Sequence, residues 1–455
     1  MARDSTVRPV RLALALLLTL ALVPAASARP IEIRGADPER YTLDLSYEDR
    51  GAGVLSGSER IEFVNRGPRA LTRVWLRLWA NGPDDCRPRR IRVQVEAPAT
   101  AGAERVSCTA LEVRLAAPVP PGGSGAISLR FEVRVRRVAD RFGIVRGTVL
   151  LGNVIPVLAV RDQRGLHLEP YARRGESFYS LAAAWDAVLR LPSSLRAATT
   201  GATVSEDVSD GERTLRVASE QARDFGLAVG PLRRVQASEG GVQVRVFAGR
   251  KVRGSRGALR IARRAVRALS RRLTPYDSTE LDVVLVRGGL GAGIGMEYPE
   301  LVFSIPAADV ITHEVAHQWW YGLVGNNQYL EPWLDESFAQ YSHERLHPGV
   351  NFCLPRNPYL LVAPWRRHIP LDSTMELFER SAPLASAEVV YLAGSCALQR
   401  LERDIGRGRM TAVLRGLQTR HRHGVMTRSD VLAAIRREAP RYPLRRWLRL
   451  AHLAR

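Results

Sequence analysis

His313-Glu314-Val315-Ala316-His317, with Glu336 nineteen residues further on in Trp333-Leu-Asp-Glu-Ser-Phe-Ala339, is the stretch on which the reading of this chain turns. Positions four apart on a helix share a face, so His313 and His317 present two imidazoles to one point while Glu314 projects beside them. Two imidazoles and one carboxylate are the donor set of a catalytic zinc site, which keeps its fourth position open. Trp333 to Ala339 reads as a second helix, with Leu334, Phe338 and Tyr341 at helical spacing. A loop containing Gly325-Asn-Asn would turn that helix antiparallel to the first and bring Glu336 opposite the histidines. The expected metal ligands are therefore His313, His317 and Glu336, holding one Zn2+ per chain. Glu314 lies beside the metal without being needed to hold it, which suits a general base.

Upstream, Leu281-Asp-Val-Val-Leu-Val286 reads as a strand, and Leu259, Ala262, Val266, Leu269 and Leu273 form the apolar stripe of an amphipathic helix. The arginines between them read as its solvated face. From Tyr41 to about Val235 the period is two, as in Tyr41-Thr-Leu-Asp-Leu-Ser-Tyr47 and Ala126 to Val135, with Gly, Pro and Asn at the breaks; this predicts an all-β sandwich. The change of period places a boundary at Ser238-Glu-Gly-Gly241. The expected architecture is a multidomain α+β chain, with a β-sandwich domain at 29–240 and a metal-bearing domain at 241–455 that is largely helical beyond residue 305.

Residues 1–28 have the layout of a cleavable signal peptide: Arg3, Arg8 and Arg11, an apolar run from Leu12 to Val23, and small residues at Ala26 and Ala28. The run is short of the ~20 residues needed to span hydrocarbon. The expectation is export to the periplasm or the extracellular space. There, Cys86, Cys108, Cys353 and Cys396 can form two disulfides, with three pairings open, and no Cys-x-x-Cys spacing suggests a cysteine-bound metal.

With 455 residues, 45% hydrophobic and 25% charged, the chain has the composition of two or three globular domains. The net charge of +21 comes from 67 Lys+Arg against 46 Asp+Glu, and Lys251 is the only lysine. Such arginine bias is what a GC-rich coding sequence produces, and no basic run interleaved with aromatics points to specific nucleic-acid binding. For an exported chain the charge points instead to an anionic envelope or acidic peptides. His421 and His423, two apart on a helix, face different ways and form no second metal site.

Taken together, His-Glu-x-x-His, eighteen intervening residues, and Glu within Trp-Leu-x-Glu-x-Phe-Ala resemble the zinc aminopeptidases related to aminopeptidase N and leukotriene hydrolase. That family's Gly-x-Met-Glu-Asn motif has a counterpart in Gly293-Ile-Gly295-Met296-Glu297-Tyr298-Pro299, on an expected edge strand, and its catalytic tyrosine resembles Tyr391 in Val390-Tyr-Leu-Ala-Gly394. The resemblance extends to Tyr41–Asn81 and Phe178–Gly201 in the β-rich half, and is to exported bacterial members lacking a long C-terminal helical domain. It implies a thermolysin-like catalytic domain and substrate binding by Gly295, Met296 and Glu297, with Glu169 of His167-Leu-Glu-Pro170 as a second polar group for the substrate amine. Ile294, Tyr298 and Ala393 depart from the family's glycine, asparagine and lysine, which bears on substrate preference. With only about 65 residues after Tyr391, a more open cleft is expected.

The chemistry agrees with this resemblance. Zn2+ brings the pKa of a bound water near ~7, Glu314 can take its proton, and the Tyr391 phenol can stabilise charge on the carbonyl oxygen. A fixed Glu297 carboxylate can hold an α-ammonium. The expectation is an exported metallopeptidase removing N-terminal residues from peptides. Alternatives are an endopeptidase or non-peptide hydrolase on the same zinc, or a non-catalytic basic binding protein with a structural metal.

Overall fold

The computed structural model describes residues 39–453, apart from 51, 174, 289, 291–293, 347–352, 354–361, 363–367 and 382–384. The signal-like segment 1–28 and Gly293 lie outside the described residues.

The period-two segments of the first half pair into three larger sheets. Seven strands run in the spatial order Ala202–Ser209, Glu212–Ala222, Ala183–Pro192, Arg40–Arg50, Ala52–Val64, Ser124–Arg134 and Ile91–Val95. Four more run Val157–Leu158, Leu71–Arg77, Ala110–Val119 and Thr100–Arg105, and a further four join Arg196–Thr199, Leu227–Gly230, Thr148–Leu151 and Phe142–Val145. Alternation sends one side of each strand inward, so Tyr41, Leu43, Leu45, Leu129, Phe131 and Trp185 from the seven-stranded sheet meet Leu76, Leu111 and Val113 from the four-stranded one in a single core. Tyr41 stacks on Trp185 at 4.1 Å between ring centroids.

A five-stranded sheet links this part to the helices. Its order is β1 (Leu232–Glu239), β2 (Val242–Gly249), β3 (Glu280–Leu285), β5 (Leu301–Ser304) and β4 (Gly295–Met296), with β2, β3 and β5 parallel and the two outer strands antiparallel. Phe247, Val284 and Phe303 face the first core, while Val246, Val283 and Val302 face the helices. The change of period expected at 238–241 falls inside this sheet. Gly240 and Gly241, both at positive φ, form the tight turn of the β1–β2 hairpin, and a cut there would divide one sheet.

The helices are α1 (Ser255–Arg272), α2 (Ala308–Ala316), α3 (Trp333–Leu346), α4 (Met375–Ser381), α5 (Gly394–Ile405), α6 (Arg407–Arg420), α7 (Arg428–Glu438) and α8 (Leu444–Leu450). α1 buries Ala258, Ala262, Ala265, Val266 and Leu269 and turns Arg256, Arg260, Arg264, Arg267 and Arg271 outward, while Arg272 donates to Tyr341 Oη and Glu402 Oε1. α3 is buried almost all round, from Trp333 to Glu344, so its polar side chains must find partners inside the protein. Of the three possible cysteine pairings, Cys86–Cys108 and Cys353–Cys396 are formed. Among the described residues no helix is long and apolar enough to cross a membrane. The chain is thus β-rich in its N-terminal part and helical towards its C-terminus.

Candidate functional site

α2 starts after Pro306 with Asp309 in its first turn, where the positive end of the helix favours a carboxylate. Ile311, Val315 and Ala316 bury one face of α2 in the core with Val302. The other face carries His313, Glu314 and, at the helix end, His317. Glu336 enters in the first turn of α3. The Nε2 atoms of His313 and His317 are 3.0 Å apart, and each is 3.2 Å from Glu336 Oε2.

A tetrahedral zinc bonded at about 2.0–2.1 Å requires neighbouring ligand atoms roughly 3.3 Å apart. The triangle is close to that size. The tautomer fits as well: His317 Nδ1 lies 2.7 Å from Asp335 Oδ1 and 2.9 Å from the Trp320 carbonyl oxygen. With only acceptors at Nδ1 the ring proton belongs there, leaving Nε2 a free lone pair for a cation, as carboxylate-backed metal histidines are arranged. Burial opposes ionisation of Glu336, but the facing imidazoles outweigh it and hold its carboxyl well below the usual carboxylate range.

Three further carboxylates crowd this triangle. Ligand atoms of Glu297, Glu314 and His317 lie within 4.8 Å of one another, as do those of Glu176, Glu297 and Glu336. Burial pushes the Glu314 carboxyl up to about 7 against the pull of both histidines, and pushes Glu297 well above its ordinary value. Glu176 is raised by burial to about 7, with Arg141 opposing the shift from 3.0 Å. Such groups suit a site that receives positive charge, since a cation relieves their mutual repulsion.

Tyr391 lies on a π-helical segment, Ala387–Ala393, a distortion frequent at functional sites. Its ring stacks on His313 at 5.8 Å between centroids, and burial together with the Glu336 carboxylate beside it raises the phenol's pKa well above the ordinary value. Gly394 closes this segment on α3: a Cβ there would meet Ser337 Oγ at 2.0 Å, and Ser337 Oγ donates to the Val390 carbonyl at 2.6 Å.

The residues expected on the edge strand divide. Gly295 touches the site directly, since a Cβ at 295 would fall 1.9 Å from Glu314 Oε1. Met296 does not bring its side chain to the site: alternation along β4 turns it into the N-terminal core, with its sulfur 3.1 Å from Arg141 Nη1. Glu169 is also engaged elsewhere. Its Oε1 is 2.6 Å from His167 Nδ1 and accepts from Asn327 Nδ2 at 3.3 Å, while its carbonyl oxygen accepts from Arg77 Nη2 at 2.7 Å. Glu176, seven residues on, is the carboxylate that lies with Glu297 and Glu336.

Sequence reasoning also missed Asp335 and Gln328. Gln328 Nε2 donates to Asp335 Oδ2 and, at 3.3 Å, to Glu297 Oε1, coupling the carboxylate behind His317 to the one beside the triangle. Asp335 had a readable signal, an acid next to the third ligand; Gln328 and Glu176 had none.

Residues 304–352 match the peptidase family M1 domain. Human aminopeptidase B is 42% identical over 80 residues, which are 16% of this chain and 12% of that protein. A leukotriene A-4 hydrolase homolog from Botryotinia fuckeliana is 32% identical over 85 residues, 17% of this chain and 13% of that one. The chain thus spans about an eighth of the length of these curated relatives. An M1 zinc metallopeptidase of Deinococcus radiodurans shares the fold, with a TM-score of 0.65, 21% identity, and coverage of 91% of this chain and 94% of that one. The ordered motifs around His313, His317 and Glu336, the matched domain and the shared fold agree: residues 304–352 carry a peptidase family M1 domain, and the chain is similar to the zinc metallopeptidases of that family, aminopeptidase B and leukotriene A-4 hydrolase homologues among them.

Proposed function

We propose that this protein is an exported zinc aminopeptidase, a β-sandwich domain followed by a thermolysin-like catalytic domain, that releases N-terminal residues from peptides. The observation that carries the reading is the carboxylate pair, Glu297 and Glu176, whose oxygens lie within 4.8 Å of each other and of the ligand Glu336. Two acids beyond those a metal needs, Glu297 buried and Glu176 half-buried, provide for an α-ammonium, the feature that separates a peptide N-terminus from the middle of a chain. A cleft for internal peptide bonds gains nothing from them.

His313, His317 and Glu336 would hold the metal, with Asp335 fixing the His317 ring. Zinc, when bound, supplies Lewis acidity that makes water nucleophilic near neutral pH and polarises the carbonyl. Glu297 and Glu176 hold the amine and so place the first peptide bond beside Glu314. Glu314 takes a proton from the attacking water at a carboxylate oxygen and hands it to the leaving nitrogen as the C–N bond breaks. Tyr391 Oη donates a hydrogen bond to the carbonyl oxygen as charge builds there. Gly295, on an edge strand, leaves backbone for the substrate to approach.

Aminoacyl and N-acetyl-aminoacyl fluorogenic amides, assayed before and after chelation and zinc return, test this. Turnover of only the free-amine substrate, lost on chelation and restored by zinc, is expected, and Glu314→Gln should lower it at least ~10^3-fold without loss of zinc. Equal cleavage of the blocked substrate would remove the aminopeptidase claim. The signal-like pattern at 1–28 and the two disulfides support export. N-terminal sequencing of protein from cell fractions should find Arg29 first, outside the cytoplasm; intact Met1 confined to the cytosol would contradict export.

A further inference from the structure

The positive charge of this chain is unevenly placed. α1 has seven arginines and no acidic residue, and residues 394–453 have fourteen arginines and four acidic residues, so these two segments hold seventeen of the 21 net positive charges. The rest of the chain, far longer, is within four charges of neutrality. A compositional bias alone would spread the surplus over all surfaces.

The two segments adjoin. Arg415 of α6 donates to the carbonyl oxygens of Arg271 and Arg272 at the end of α1, at 2.7 and 3.1 Å, and α6 packs on α7, which packs on α8. Elsewhere exposed arginines such as Arg60, Arg89, Arg130 and Arg216 face carboxylates. On α1, Arg256, Arg260, Arg264 and Arg271 are exposed and make no ion pair with the described residues; Arg436, Arg437, Arg445 and Arg446 on α7 and α8 are the same.

We propose that α1 together with α6–α8 forms a cationic face that docks the protein on an anionic phospholipid bilayer. Guanidinium groups bind phosphate oxygens in a forked geometry, and many of them dispersed over several helices suit a flat array of headgroups rather than one deep ligand pocket. Among the described residues the exposed large apolar ones, Val204, Val208, Ile294 and Leu377, all lie outside these elements, so docking is electrostatic, without insertion. Among the described residues no exposed aromatic stands with these arginines: Trp447 is buried and the Tyr442 hydroxyl donates to Asp404 at 2.9 Å, so the described face lacks the stacking platform of a single-stranded nucleic-acid binder. The proposal is independent of the peptidase assignment.

The test is co-sedimentation of the full chain with vesicles of phosphatidylcholine alone or with about 30 mol% phosphatidylglycerol. Binding to the anionic vesicles only, at about 25 mM salt, and release by about 0.5 M salt are expected, because screening shortens the reach of each charge. Arg256→Gln, Arg260→Gln, Arg264→Gln and Arg271→Gln together should weaken binding by at least about tenfold, since each arginine near a lipid surface contributes about a fivefold factor or less. Turnover of a soluble substrate should not change, which also reports that the variant folds. Arg436→Gln, Arg437→Gln, Arg445→Gln and Arg446→Gln form an independent second variant with the same expectation. A control of equal charge change, Arg69→Gln, Arg92→Gln, Arg105→Gln and Arg161→Gln, should bind within about twofold of the parent. Equal loss in the control would reduce the effect to net charge and overturn the proposal. So would salt-matched binding to duplex DNA that is tighter than binding to the vesicles.

Discussion

Gly295→Ala probes the contact between the edge strand and Glu314. The added Cβ would lie 1.9 Å from Glu314 Oε1, 2.3 Å from Cδ and 2.7 Å from Cγ, whereas such contacts essentially never fall below 3.0 Å. The Glu314 carboxylate must therefore retreat by about 1.1 Å or the strand must shift, and β4 is held by pairing with β5 at Gly295–Ser304 and Met296–Phe303. The carboxylate is the softer element. A 1 Å misplacement of a reacting group costs up to about 10^2 in rate, or roughly 2.7 kcal/mol of transition-state stabilisation. The expected result is kcat/KM for a free-amine amide lowered about 100-fold, with zinc stoichiometry and thermal midpoint near those of the parent, because no metal ligand is touched. The pH profile should change with it, since moving Glu314 alters the burial that holds its carboxyl at about 7. Activity within about threefold of the parent would show that Glu314 does not need the position it occupies, and the base assignment would go with it.

Replacing Asp335 with Asn removes the charge behind His317 and should weaken zinc binding about 10–100-fold in chelator competition; unchanged affinity would assign orientation of the ring to the Trp320 carbonyl. Glu297→Ala should raise KM for free-amine substrates while leaving zinc content intact, and Glu176→Gln should do the same more weakly because Arg141 already shares its charge. If only Glu169→Gln has this effect, the amine site has been misplaced. Gly394→Ala drives a methyl into Ser337 Oγ and should displace Tyr391, lowering kcat more than KM. For stability, Glu39 and Asp224, both distant in sequence from the metal motifs, are raised to about 7 by burial. Folding thus favours their protonated forms, a contribution that is full below the ordinary carboxylate range near pH 4 and lost as pH rises through 7. Metal-free protein should melt higher at pH 5 than at pH 8, and Asp224→Asn should narrow that difference; the opposite slope would show these carboxyls ionised in the fold.

The parts of the site legible in the sequence are those governed by local periodicity. His313, Glu314 and His317 share a helix turn, so spacing fixed their common face, and Glu336 was reachable because one short connection separates the two helices. Glu169 and Glu176 show where this ends. Both lie in an irregular segment with no period to fix direction, and residue 176 meets residue 336 only because the N-terminal sheets carry it there. Gly240-Gly241 is read from the sequence as the point where the period changes, but it lies within a sheet, and strand pairing across it is a tertiary fact.

By itself the sequence determined a pattern: a candidate donor set with a carboxylate beside it, a β-rich half before a helical one, and an arginine surplus. Only the tertiary structure decided which acids stand around the triangle, that Asp335 and Gln328 brace it, that Met296 faces the core, and that the surplus arginines gather on α1 and α6–α8. The physical reason is range. Helical and strand periods are set by bonds a few residues apart, whereas the neighbours of a buried charge are set by which elements pack together, and no local period encodes that.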